Sequence, residues 1–215
     1  MTGGTDPGGG RITMFWSSRS PFVRKAMICA HVCGLADGLD LVRVQVGSLA
    51  ISDALRPVSP LNRIPALRLA DGTSVFGSGP ICRFFAQVSG MDDLVPLPGD
   101  PRYLPALLLE EAGDTIMDFT TARMAERGRP TPDPERLEMS ARKIRSGADW
   151  LERQIPAADP GRPDLGQIAL LAALGHLDFR DAALDWRHGR PKLSAWFAAA
   201  SGHPGFAATA HELIY

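Results

Sequence analysis

What most limits the fold of this chain is a change of hydrophobic rhythm near residue 100. Before that point, short apolar runs alternate with helical ones; beyond it, no run reads convincingly as a strand. RITMFW reads as a strand. PFVRKAMICAHVCGL reads as a helix, with Val23, Met27, Ala30 and Cys33 along one face and Gly34 as its stop. LDLVRVQV alternates as a strand does. PALRLADGTSVF is two short strands around Asp71-Gly72, a hairpin signal, and SGPICRFFAQVSG is a helix opened near Ser78 and stopped by Gly90. The order is β-α-β-(short α)-β-β-α. A first βαβ unit implies parallel strands, and the hairpin adds an antiparallel one.

The second half is expected to be helical throughout. Leu104, Leu108, Ala112, Thr115/Ile116 and Phe119 recur at helical spacing, as do Leu137, Ile144, Ala148, Leu151 and Ile155. RGRPTPDPER, with three prolines, separates the two runs. DLGQIALLAALGHLDF is apolar on nearly every side, which predicts a central buried helix, and Asp164 with Gln167 three residues on is a capping-box start. RPKLSAWFAAASG places Pro191 in a first turn and Leu193, Trp196, Phe197 and Ala200 inward. The expected division is a disordered lead-in over 1–10, a mixed domain over 11–90, a linker over 91–99 and an all-helical domain over 100–215.

Composition removes several classes of function. The 215 residues are 45% hydrophobic and 22% charged, with a net charge of −1, so no basic field is present to hold a nucleic acid or an anionic membrane. MTGGTDPGGG lacks the apolar core of a signal peptide, and no segment approaches the ~20 apolar residues of a membrane span. Three cysteines cannot close a disulfide framework. Cys29 and Cys33, four apart, read as buried packing thiols, with a metal or redox pair as the alternative. The five histidines show no close ligand spacing, so no metal is expected. A reduced, cytoplasmic protein is the expectation.

Three turns of the first half carry the candidate chemistry. Ser17-Ser18-Arg19-Ser20-Pro21 lies where the first strand becomes a helix. Serine and proline are good helix starters, and the same turn aims backbone N–H groups and a hydroxyl at anything in front of it. In NRIPAL, Asn62 to Leu67, a proline opens a strand, and the Ile64–Pro65 bond is expected to be cis. In VFGSGPI, Gly77-Ser78-Gly79 joins a strand to a helix, and Ser78 can cap that helix and offer its N–H and hydroxyl to a carboxylate. The G-x-G there lacks a third glycine and Pro80 intrudes, so it is a poor dinucleotide fingerprint.

The S-x-x-S turn stands where the C-x-x-C of a thioredoxin-like fold would stand, and with an all-helical second half the chain resembles the cytosolic glutathione S-transferases from residue 11 onward. MFWSSRSPFVRKAMI is similar to the bacterial opening S-x-x-S-P-[FY]-V-R-K, SPLNRIPAL to N-P-x-x-x-[VI]-P-x-L, and FGSGPICRFF to the [DE]-S-x-x-I segment. DLGQIALLAALGHLDFR resembles the family's helix-6 motif, and LDWRHGRPKLSAWFAAASGHPGF the segment after it. The resemblance implies a fold of α+β/α class: a thioredoxin-like domain, then an all-α domain. It also implies a homodimer, glutathione as co-substrate, and a small electrophile as the second substrate.

It further implies roles for residues. Ser17 would donate to the glutathione sulfur, with Ser20 the rival and Ser18 a third choice. A free thiol has pKa ~8.5, and lowering it by about two units takes roughly 2.7 kcal/mol of preferential thiolate stabilisation. Ile64, before Pro65, would pair its backbone with the cysteinyl unit. Arg63 is a candidate for the glycine carboxylate, beside the reading of a solvated arginine, and Ser78 would hold the γ-glutamyl carboxylate. Phe15, Trp16, Ile116, Met117, Thr120 and Arg123 are candidates for an acceptor pocket, each also readable as core. Gly77 departs from the family's acid, which holds the γ-glutamyl ammonium, and Gly166-Gln167 departs from its Ala-Asp. The expected function is a transferase that activates the glutathione thiol; the alternative is a non-catalytic binding protein on the same scaffold.

Overall fold

A computed structural model of the chain describes residues 10–47, 50–155 and 163–212. Most of the expected lead-in, residues 1–9, lies outside the described residues. The chain forms two compact units, one running to Pro96 and taking in the segment from Pro204, the other spanning Leu97–His203. The closing segment therefore groups with the first unit, and not with the helical one as the sequence division has it.

In the first unit, β1 (Ile12–Trp16), α1 (Pro21–Val32) and β2 (Leu39–Arg43) make the expected βαβ, with β1 and β2 parallel. β3 (Ala66–Arg68) and β4 (Ser74–Phe76) form the hairpin, and α2 (Ser78–Ser89) follows. The sheet order is β2-β1-β3-β4, with β3 antiparallel to both of its neighbours. Asp71 closes the hairpin by accepting the Thr73 N–H at 2.8 Å. Ile12 and Met14, both fully buried, put β1 at the centre of the core. From α1 the core takes Val23, Ala26, Ile28, Cys29 and Ala30, while Met27 is only half-buried. Gly34, at φ +68, ends that region of helix as expected.

The short helix expected between β2 and β3 does not form; residues 53–58 are a run of turns. Pro57 and Pro60 explain this, since each disfavours helical geometry in the residue before it. Leu55 and Val58 still bury themselves in the core. At the end of the unit, α7 (Pro204–Ala208) packs on α1.

The second unit contains α3 (Tyr103–Arg127), α4 (Pro134–Gln154), α5 (Leu165–Arg180) and α6 (Pro191–Ala200). Every residue of α5 from Leu165 to Leu177 is buried, as its uniform apolarity predicts. Asp164 caps it by accepting the Gln167 N–H at 2.9 Å. α3 turns a different face inward than its leucines imply. Ala106, Leu109, Gly113, Ile116, Met117, Thr120 and Arg123 are buried, whereas Leu104 is 60% and Leu108 45% exposed. The reason is backbone proximity to α5. A Cβ on Gly113 would lie 2.7 Å from the Ala169 carbonyl carbon, and one on Gly166 would lie 2.3 Å from the Ala106 oxygen. Small residues select this face, and the glycine at 166 follows from it.

Candidate functional site

β1, β3 and β4 lie side by side, and the three turns leave from the same end of them. Phe15 pairs with Ala66, and Ala66 with Phe76. Ser17 therefore follows the end of β1, Ile64–Pro65 precede the start of β3, and Ser78 follows the end of β4. β3 lies between β1 and β4, so the turn that opens β3 leaves from between the other two. A hydrogen bond from Gly77 N–H to the Pro65 carbonyl, 3.1 Å, ties the last two turns together.

The serine turn is closed by Ser20 N–H on the Ser17 carbonyl at 3.2 Å. Ser20 is the N-cap of α1: its backbone is extended and its Oγ accepts the Val23 N–H at 3.3 Å. Pro21 at the first helical position lacks the N–H that would otherwise need a partner. Ser17 Oγ accepts the Arg19 N–H at 3.4 Å, which leaves the hydroxyl hydrogen for a ligand. Ser18 is engaged on both sides, accepting from Arg43 Nη2 at 3.3 Å and donating to the Glu212 carbonyl at 3.4 Å.

Asn62 shapes the middle turn. It adopts φ +54, and its side-chain amide accepts the Ser52 N–H at 2.9 Å and donates to the Ser52 carbonyl at 2.8 Å. Ser59, fully buried, accepts the Arg63 N–H at 3.2 Å. Together they present an exposed Arg63, a buried Ile64 and a cis Ile64–Pro65 peptide. The Arg63 guanidinium lies 5.6 Å from the Phe22 ring centre.

At the third turn, Gly77 takes the cap position that the sequence reading gives to Ser78, with φ +89 and ψ 139. Ser78 is instead the first residue of α2, with its side chain buried. A helix leaves its first N–H groups without internal partners, and Pro80 has none, so Ser78 and Gly79 present two amides to an anion. The helix dipole adds to their attraction for negative charge.

Of the residues expected around the acceptor, Ile116, Met117, Thr120 and Arg123 lie on α3. Thr120 donates its hydroxyl to the Ile116 carbonyl at 2.7 Å, and Ile116 and Met117 are buried. The Arg123 guanidinium binds Asp181 at 2.5 Å, Ser140 Oγ at 3.0 Å and the Leu137 carbonyl. Arg123 thus joins α3 to α4 and to the residue that follows α5, and it also lines a cavity with Phe119, Glu126 and Lys143. Phe15 is buried in the sheet beside the Arg68 guanidinium, 5.6 Å from its ring, and Trp16 is half-buried with Arg43 at 5.7 Å. The three cysteines are free thiols in the core. Hydrogen bonding with Cys33 and Cys82, together with burial, pushes the Cys29 thiol up, while its bond to Cys29 brings Cys33 down to about 7. Among the described residues no cluster of metal-ligating side chains is present, and no helix is long and apolar enough to cross a membrane.

Sequence reasoning missed Asn62, Ser59, Arg43 and the closing segment. Asn62 had a readable signal, since asparagine is enriched at left-handed positions. The others depend on contacts that no local pattern encodes.

A four-stranded mixed sheet followed by a helical unit defines the thioredoxin-like class with an all-α extension. The description "Glutathione S-transferase, N-terminal domain" matches residues 19–88, and "Glutathione S-transferase, C-terminal domain" matches residues 134–199. A glutathione transferase family member from Pseudomonas fluorescens Pf-5, solved with bound glutathione, is 31% identical with a TM-score of 0.85, over 94% of this chain and 100% of that one. A glutathione S-transferase from Methylobacterium radiotolerans JCM 2831, in complex with glutathione sulfonate, is 28% identical with a TM-score of 0.81, over 95% and 98%. The uncharacterized GST-like protein YibF of Escherichia coli K12 is 28% identical over 182 residues, 82% of this chain and 87% of that protein. The chain belongs to the glutathione transferase family.

Proposed function

We propose that this chain is a glutathione transferase that binds reduced glutathione across its three turns and activates the thiol for attack on a small electrophile. The observation that carries the reading is that the three turns leave from one end of the paired strands β1, β3 and β4, with the Gly77 N–H bonded to the Pro65 carbonyl. The γ-glutamyl carboxylate takes the Ser78 and Gly79 amides and the Ser78 hydroxyl. The cysteinyl backbone lies along Ile64 as an added strand would. Arg63, exposed beside it, meets the glycine carboxylate. That disposition leaves the sulfur in front of Ser17.

Ser17 acts as a hydrogen-bond donor and not as a nucleophile. Its Oγ already accepts the Arg19 N–H, and its own hydrogen goes to the thiolate. A charge-assisted bond of this kind contributes ~1.5–3 kcal/mol, and the N-terminus of α1 adds a favourable field. Ser20 is mainly the cap of α1. The thiol proton leaves to solvent and the thiolate attacks the electrophilic carbon; a C–S bond forms, and the leaving group departs with the bonding electrons or, in an epoxide, remains on the product as an alkoxide that takes a proton from water. The bound molecules of the Pseudomonas and Methylobacterium relatives favour a glutathione site here. Glutathione serves as co-substrate, with no metal in the mechanism. The reading includes a cytoplasmic homodimer; the exposed Leu104, Leu107 and Leu108 on α3 supply apolar surface for a second copy.

Gly77 supports a second reading, a non-catalytic binding protein on the same scaffold with weak or altered glutathione binding, because no carboxylate at that position meets the γ-glutamyl ammonium. Calorimetric titration with glutathione, followed by turnover against aryl halides, epoxides, peroxides and mixed disulfides, separates the two. Binding with turnover supports the transferase. Weak or no binding of glutathione, with no turnover on any of them, supports the alternative.

A further inference from the structure

The closing segment of the chain reaches back to the serine turn across almost the whole sequence. Its anchor is α7. Arg24 of α1, itself buried, donates from Nη2 to the Phe206 carbonyl at 3.2 Å, and its guanidinium stacks 3.8 Å from the Phe206 ring centre. From there the chain runs to His211, whose Nδ1 lies 3.0 Å from the Ser18 carbonyl oxygen. A carbonyl only accepts, so Nδ1 carries the proton. Next to it, the Glu212 carbonyl accepts from the Ser18 hydroxyl.

The Ser18 carbonyl and the Arg19 N–H are two ends of one peptide group. The first accepts from His211; the second donates to Ser17 Oγ at 3.4 Å. Hydrogen bonds linked through a peptide polarise one another, so a donor on the carbonyl strengthens the N–H at the far end. An N–H that donates more strongly to Ser17 Oγ makes the Ser17 hydroxyl a better donor in turn. We propose that His211 is a positioning residue for Ser17: it fixes the Ser18–Arg19 peptide so that the Ser17 hydroxyl points its hydrogen at the bound sulfur. Within unit 1, the relay is His211 Nδ1–H, Ser18 C=O, Arg19 N–H, Ser17 O–H. No bond is broken along it and no proton changes owner. Its catalytic consequence rests on the transferase reading above; the positioning itself does not.

The test compares the full chain with His211→Ala, His211→Asn and His211→Gln. The Asn amide can put an N–H where Nδ1 stands, whereas the longer Gln amide reaches toward Nε2. Amide hydrogen exchange at Arg19 is measured first, without ligand. Loss of one such bond accelerates exchange by roughly three- to ten-fold in the Ala and Gln variants, and Asn restores the wild-type rate. Ultraviolet titration of the glutathione thiolate and steady-state kinetics follow. Ala and Gln raise the thiol pKa and lower kcat by a similar factor while KM for glutathione changes little, and Asn rescues both. Unchanged Arg19 exchange in His211→Ala overturns the proposal, as does a folded Asn variant that behaves like Ala. If Arg19 exchange responds but the bound thiolate titrates as in wild type, the coupling to Ser17 is wrong and the transferase reading stands. If wild type binds no glutathione, the transferase reading falls, and Arg19 exchange alone decides whether His211 positions the turn.

Discussion

The Gly77 N–H donates to the Pro65 carbonyl at 3.1 Å, so the turn that heads α2 and the turn that opens β3 move as one. That bond is made with Gly77 at φ +89 and ψ 139, a conformation open to glycine and strained for any other residue.

Gly77 is therefore a position where folding and affinity can be separated. Gly77→Ala should lower stability by about 1–3 kcal/mol in thermal or denaturant unfolding. An added Cβ would meet Pro80 Cδ at an ordinary 3.5 Å, so strain and not a clash is the cause. Gly77→Asp should show the same loss and bind glutathione roughly ten- to a hundred-fold more tightly than Gly77→Ala, because a carboxylate meeting the γ-glutamyl ammonium contributes ~1.5–3 kcal/mol. Equal affinity of the Ala and Asp variants would show that the ammonium does not sit there.

Ser17 and Ser20 should separate by the property they change. Ser20→Ala removes the cap on the Val23 N–H and should cost about 1 kcal/mol of stability. Ser17→Ala should leave unfolding nearly unchanged and lower kcat by roughly ten-fold or more. Loss of thiolate formation in Ser20→Ala alone would transfer the chemical role to Ser20.

The close approach of α3 and α5 makes Gly113 and Gly166 intolerant of a methyl group. Ala at either site should destabilise by about 1–3 kcal/mol, measured by urea unfolding, despite alanine's better helix propensity. A neutral Gly166→Ala would mean that the helices lie further apart than the 2.3 Å figure allows.

Asp181 gives the second unit an acid-sensitive joint. Burial alone would raise its pKa, but the hydrogen bonds from Arg123 and Arg127 together outweigh it and hold the carboxyl below its ordinary value. The unfolded chain then binds more protons than the folded one, so the contribution is complete above ~3.9 and is lost as pH falls through the lower folded value. Asp164 has the opposite sign. Burial raises it against the Gln167 N–H, so its share of stability declines as pH rises from ~3.9 through the folded value. Asp181→Asn should flatten the acid limb of the stability curve. Asp181→Ala, which leaves two arginines facing a void, should cost about 3–5 kcal/mol.

How far the sequence speaks depends on whether a feature is local. Ser20-Pro21, Asp164 and the Asp71-Gly72 hairpin encode their caps and turn within four residues, and all three form where the pattern puts them. The inward face of α3 was not legible, because its leucines outweigh Ala106 and Gly113 in any hydrophobic pattern while the approach of α5 decides the packing. The short helix placed between β2 and β3 is replaced by turns over 53–58, where Pro57 and Pro60 disfavour helical geometry in the residues before them. Of the site, the three turns could be read directly. The Asn62 clamp on Ser52 and the His211 contact with Ser18 join distant positions, and only the folded chain reveals them.

Glutathione bound across the three turns should carry a thiolate that Ser17 stabilises by donating to the sulfur. Ultraviolet titration of the glutathione thiolate on the wild-type chain and on Ser17→Ala tests it most directly. The account predicts that wild type lowers the thiol pKa by about two units from its free value of ~8.5, and that Ser17→Ala binds glutathione but returns most of that shift. Glutathione that binds to wild type with an unshifted thiol, or a shift that survives intact in Ser17→Ala, would contradict it.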